Sequence, residues 1–127
     1  MALGYTNKVA LGYTNNVALG YTNNVIIMTF DIKEHQGGLT AVICGRLDTP
    51  SAIKAQQDIV PLLENADKEI VLDCEKLEYI SSSGLRLFLA IRKEVAAKGG
   101  KVIVENINDD IKNVFKMTGF IQLFEIR

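Results

Sequence analysis

From Met28 onward, apolar and polar residues fall into short, well-separated periods. Thr29 to His35 alternates, with Phe30 and Ile32 on one face and Asp31 and Lys33 on the other, the pattern of a half-buried strand. Gln36-Gly37-Gly38 is a turn signal and Leu39 to Cys44 reads as a second strand, so the two predict an antiparallel hairpin. After Gly45-Arg46-Leu47-Asp48, Thr49 reads as a helix N-cap and Pro50 as the first helical residue. Ala52, Ala55, Ile59, Leu62, Leu63 and Ala66 recur at helical spacing, and Pro61 has to kink or divide that helix because its ring removes a backbone donor. Glu69 to Cys74 is a nearly continuous apolar run, as expected of a central strand covered on both faces.

A second helical period starts just after Ser81-Ser82-Ser83-Gly84. Leu85, Leu87, Phe88, Leu89, Ile91, Val95 and Ala96 cover one broad side, Arg86, Lys93 and Glu94 lie opposite, and Gly99-Gly100 ends the helix. Val102 to Val104 predicts another strand. Asn108 then caps a helix with Asp109 and Asp110 in its first turn and Lys116 in its last, the charge order that the helix dipole favours. Ile111, Val114, Phe115 and Thr118 share one face, Gly119 stops the helix, and Ile121 to Ile126 adds a final edge strand. Strands alternating with helices specify an α/β domain with a mixed sheet of four to five strands and helices packed on it.

The first 27 residues follow another rule. Ala2 to Val9 reads ALGYTNKV, and Ala10 to Val17 and Ala18 to Val25 each read ALGYTNNV. Eight residues are too few for a helix-based solenoid unit. Gly and Thr-Asn-Asn are turn formers, while Leu and Tyr suit short strands. Residues 1–27 therefore read as a flexible or weakly ordered extension and 28–127 as the folded domain. Two other readings stay open: upstream sequence read through ahead of a natural start at Met28, or an adhesive strand that pairs with its own copies.

Composition narrows the function classes. A net charge of −1 gives no reason to expect a nucleic-acid backbone or an anionic membrane as the main partner. No apolar run approaches the roughly 20 residues of a membrane span, and the start has neither the basic residues nor the apolar stretch of a secretory signal. Cys44 and Cys74 sit inside apolar strand patterns and read as buried free thiols in a reducing cytoplasm. With one histidine besides, they are poor material for zinc. Asp73, Glu75 and Glu78 read as a solvated loop after a strand, not as a metal cluster. Neither a phosphate-binding G-x-x-x-x-G-K-[ST] loop nor a nucleophile elbow G-x-S-x-G is present. No cofactor or metal is expected.

The informative place is the serine junction. One serine before a helix is explained by capping an orphan backbone N–H, but three in a row leave hydroxyls to spare. A helix N-terminus carries partial positive charge, so a serine there can accept a phosphate of about −1.5 to −2 charge without wrecking the fold. Four pieces, in order, resemble the STAS domain of bacterial anti-sigma-factor antagonists: Gly45-Arg46-Leu47-Asp48 resembles the family's G-x-L-D, and Ile70 to Leu77 (IVLDCEKL) its central strand and following loop. Ile80 to Leu85 (ISSSGL) resembles its D-S-S-G-L, and Val114 to Phe120 (VFKMTGF) its third helix.

The resemblance implies a small mixed sheet with helices and a non-catalytic binding module. It places the phosphorylated serine at Ser82, with Ser81 and Ser83 ranked behind it, and an acidic neighbour at Asp48. Asp48, Ser81, Ser82, Ser83, Gly84 and Arg86 make up the expected partner surface. The partners implied are an anti-sigma factor that is also an ATP-dependent serine kinase, and a metal-dependent serine phosphatase. Nucleic acid and membrane insertion are not expected, and the free protein should be a cytoplasmic monomer. One position departs from the motif: Ser81 stands where the family has Asp. That departure favours the alternative of a never-phosphorylated STAS adaptor, for instance beside a lipid-transport ATPase. A third reading, a hydrolase using Ser82, would need His35 as base.

Overall fold

The computed structural model describes residues 28–127. The octapeptide repeat and the readings attached to it lie outside the described residues. The chain runs β1 (Met28–His35), β2 (Gly38–Leu47), α1 (Thr49–Asp58), α2 (Val60–Glu64), β3 (Glu69–Ile80), α3 (Ser82–Lys98), β4 (Lys101–Glu105), α4 (Asp109–Thr118), a 3₁₀ turn (Phe120–Gln122) and β5 (Glu125–Ile126). The five strands lie side by side in chain order. β1 and β2 form the expected antiparallel hairpin, and every later pair is parallel. The right-handed crossover that strand twist favours between parallel neighbours, repeated along strands lying in chain order, sets successive helices on the same face of the sheet.

The helix-covered face supplies the core. Phe30, Ile32, Ala41, Ile43, Ile70, Leu72, Cys74 and Val104 alternate along their strands and are buried together with Leu62, Phe88, Ile91 and Phe115 from the helices. Burial, with Asp73 adding to it, pushes the Cys74 thiol far above its ordinary range. Cys44, expected to be buried as well, is a free thiol but only half-buried, because it falls on the other side of the pleat from Ile43. Phe88 and Phe115 meet edge to face with ring centres 6.3 Å apart, and Phe124 closes the same cluster.

Four sequence expectations need correction. The N-cap of α1 is Asp48, not Thr49, which is already the first helical residue. Asp73, Glu75 and Glu78 do not form a loop. β3 runs on through them to Ile80, because bulges opposite β2 let two extra residues enter the strand and return Leu77 and Ile80 to the core face. The stretch from Ile121 is a 3₁₀ turn followed by a two-residue strand, held to β4 by Arg127 N donating to Val104 O at 2.8 Å. Ala96 and Thr118 are exposed, so the buried stripes of α3 and α4 are narrower than their apolar periods. The division at Pro61 stands as expected: α1 and α2 meet at Ile59, and Pro61 falls in the first turn of α2, where its missing N–H is not needed.

At the end of the sheet where β3 and β4 begin, backbone packs directly on backbone. A side chain at Gly38 would overlap the Glu69 carbonyl, and one at Gly100 would overlap the carbonyls of Ala66 and Lys68. Glu69 N donates to Gly37 O and Lys101 N to Lys68 O, each at 3.1 Å, so these close approaches fix where both strands start.

Candidate functional site

The site forms at the opposite end, where β2 and β3 finish and α1 and α3 begin. Ser81 N donates to Leu47 O at 2.8 Å, so the two strand-to-helix junctions are joined by backbone. Asp48 starts α1 with a reciprocal cap: Ser51 N donates to Asp48 Oδ1 at 3.1 Å, and Asp48 N donates to Ser51 Oγ at 3.0 Å. Its carboxylate is thereby committed to the first turn of α1. Gly84 is buried, and a β-carbon there would lie 2.8 Å from Leu47 Cγ and from Ile80 Cγ1. The absence of a side chain at Gly84 lets the first turn of α3 settle onto the strand ends and presents the serines at the rim.

The three serines have three different situations. Ser81, half-buried, is the N-cap: its Oγ accepts from Gly84 N at 3.1 Å. Ser83, also half-buried, accepts from Arg86 Nη2 at 3.2 Å and lies 3.4 Å from Thr49 Oγ1 across the junction. Ser82 is exposed, and among the described residues its hydroxyl has no hydrogen-bond partner. The free hydroxyl, the first helical residue and the outermost position thus coincide in one residue. No acidic residue stands in the first turn of the 17-residue helix that follows.

Arg86 reaches back over this turn and forms no ion pair among the described residues. It also borders a shallow groove of about 430 Å³ between α1, α2 and α3, lined by Ile53, Gln56, Leu63, Ser83 and Leu87. Ile53, at 64% exposure, is the outer lip. On the strand side, the Arg46 guanidinium sits 4.4 Å above the ring of Tyr79, which is itself 40% exposed. Sequence reasoning did not single out Thr49, Ile53, Arg46 or Tyr79 as site residues. Arg46 and Tyr79 meet because the bulged register pairs them across β2 and β3, which periodicity does not reveal.

His35 is remote from these groups. Its ring nitrogens engage Thr40 Oγ1 at 2.8 Å and Glu69 Oε1 at 3.0 Å at the start of β3. At about 3.3 Å per residue, the strand puts it roughly 35 Å from the serines. The only imidazole of the chain is therefore out of reach of Ser82, and a hydrolase reading that takes His35 as base has no support in the geometry. No helix among the described residues is long and apolar enough to cross a membrane.

Comparison with known proteins places these features in a family context. Residues 29–127 match the family model described as the STAS domain. The anti-sigma-B factor antagonist of Bacillus subtilis is 31% identical over 97 residues, which cover 76% of this chain and 87% of that protein. Among solved structures, an anti-sigma factor antagonist from Mycobacterium paratuberculosis superposes with a TM-score of 0.66 at 20% identity, covering 78% of this chain and 84% of that one. The phosphorylated form of the Bacillus cell fate determinant SpoIIAA superposes with a TM-score of 0.60 at 20% identity, covering 78% and 91%.

Proposed function

The chain belongs to the STAS domain family, and from that premise we propose that it is a non-catalytic antagonist of an anti-sigma factor, switched by phosphorylation of Ser82. The observation that carries the reading is the exposed, unpartnered hydroxyl of Ser82 on the first turn of α3, between a capping serine and a serine already engaged. In the unmodified state the partner rests on the rim formed by Asp48, Ser81, Ser82, Ser83 and Arg86; Gly84, expected on that surface, is buried against Leu47 and Ile80 and shapes the rim from beneath. A partner that is also an ATP-dependent kinase transfers the γ-phosphoryl group: the Ser82 Oγ–P bond forms, the bond to the β-phosphate oxygen breaks, ADP leaves, and the hydroxyl proton is released.

The modification places about −1.5 to −2 charge at a position that was neutral, while the helix N-terminus tolerates it. A partner fitted to the bare hydroxyl loses its contact and meets a desolvation cost. A metal-dependent serine phosphatase restores the switch by hydrolysing the ester to serine and inorganic phosphate. Residues 28–127 form the switching unit and residues 1–27 an extension to it, with the cytoplasm as the place of action. Relatives carry the role in their names: the Bacillus subtilis protein is an anti-sigma-B factor antagonist, and SpoIIAA has a phosphorylated form.

Ser82→Asp is expected to abolish binding to the cognate anti-sigma factor, and Ser82→Ala to retain it. Equal binding by the two variants removes Ser82 from the switch. The second reading, a STAS adaptor that is never phosphorylated, is favoured by Ser81 in place of the motif Asp. Intact-mass measurement on protein from growing cells separates the two, since the adaptor gains no phosphate.

A further inference from the structure

Arg86 belongs to two surfaces at once. Its Nη2 lies 3.2 Å from Ser83 Oγ, so the guanidinium is folded toward the start of α3, the direction in which helical side chains lean. It also borders the apolar groove behind Ile53. Ser82 and Arg86 are four apart on one helix, neighbours on its surface at about 5–6 Å between β-carbons. Other charges at the junction are already occupied. The Asp48 carboxylate accepts from Ser51, and the Arg46 guanidinium covers the Tyr79 ring. Ser81 caps without a carboxylate, so the motif position adds no repulsion to an arriving anion.

We infer that Arg86 is the receiver of the phosphate: its guanidinium passes from the Ser83 hydroxyl to a phosphate on Ser82, and in doing so leaves the mouth of the groove. The inference rests on the reading of Ser82 as the modified residue and adds how the charge is transmitted. Before modification, Arg86 offers a cation beside an apolar slot, a fit for a partner segment that carries a carboxylate next to an apolar side chain. Afterwards the same cation is held by a phosphate on its own helix, through the paired N–H donors that suit phosphate oxygens. Phosphorylation thus adds a negative charge at Ser82 and withdraws a positive one from the groove in a single event.

The test uses the full chain with phosphoserine incorporated at position 82 during translation, with Arg86 intact or replaced as Arg86→Gln and Arg86→Lys. ³¹P NMR follows the second ionisation of the phosphate, and the Ile53 methyl signals report on the groove. The helix N-terminus acts alike in all three proteins, so the difference isolates residue 86. An exposed pair of this kind is expected to lower the second phosphate pKa by about half a unit relative to Arg86→Gln, with Lys in between. The Ile53 methyl should shift on phosphorylation with Arg86 present and stay still in Arg86→Gln. Identical titrations with Arg and Gln overturn the capture, and an Ile53 signal that moves alike in both overturns the link to the groove. Failure of the Ser82 switch itself appears elsewhere, as equal partner binding by Ser82→Asp and Ser82→Ala.

Discussion

Replacing Ser81 separates two things a capping residue can supply at the start of α3: an acceptor for a backbone N–H and a negative charge at the positive helix end. The Ser81 Oγ accepts from Gly84 N at 3.1 Å, and Gly84 is buried, so water does not readily take over that donor when the oxygen is lost. Loss of a capping side chain costs about 0.5–2 kcal/mol, and a buried orphan donor belongs in the upper part of that range. Ser81→Ala should therefore lose about 1–1.5 kcal/mol, or roughly 5–8 °C in Tm for a domain of this size. Ser81→Asp restores the motif residue, keeps an acceptor over the same N–H and places a negative charge at the positive end of α3. Its stability should lie within about 0.5 kcal/mol of the parent chain at neutral pH. The new carboxylate is favoured in its ionised form by the fold, so its benefit is present above about pH 4 and is lost as pH falls through its lowered folded value. Urea denaturation of the three proteins at pH 7 and pH 3 measures this directly, read as midpoint shifts at constant m-value. An unchanged midpoint for Ser81→Ala, or a Ser81→Asp protein as weak as Ser81→Ala at pH 7, refutes the capping argument.

Two further outcomes follow from the same geometry. Gly84→Ala gains about 1 kcal/mol of helix propensity but forces a methyl to 2.8 Å from Leu47 and Ile80, an overpacking cost of about 1–3 kcal/mol. A net loss near 1 kcal/mol is expected by denaturation, and a more stable variant would contradict the close approach of α3 to the strands. Glu125 is held below the ordinary carboxylate range by hydrogen bonds from Arg127 and Lys101. Its contribution is present above the unfolded carboxylate pKa and is lost as pH falls through the lowered folded value. Carboxyl-detected NMR should place its titration below that of a free glutamate, and Glu125→Gln should make the acid limb shallower. A Glu125 midpoint at the free-glutamate value defeats this account.

Much of this was legible in the chain because local rules and the fold agree. Phe30 and Ile32 alternate and face the core; Asn108 caps α4 with Ile111 N donating to its Oδ1 at 2.8 Å; Gly99 and Gly119 take the left-handed conformation that ends α3 and α4. The cap of α1 was misplaced by one residue because Asp48 and Thr49 are both good caps, and the reciprocal bond with Ser51 decides between them. The reach of β3 was hidden because bulges break the period of two on which strand recognition depends, so the stretch holding Asp73, Glu75 and Glu78 reads as loop. The serine junction was visible as a motif, but which hydroxyl is free was not. That distinction arises from Gly84 and Arg86, which meet the serines within the first turns of α3, and from Thr49, which does so only once α1 and α3 start side by side. The groove likewise needs two helices to exist.

Gly38 and Gly100 give the two ends of the sheet unequal freedom. Where main chain rests on main chain, almost any substitution jams the mechanism that seats the strands. At the far rim, residues such as Ile53, Tyr79 and Arg86 hang outward and can be exchanged without disturbing that seat. The molecule is thus anchored at one pole and editable at the other, so a change of recognition target need not cost it its architecture.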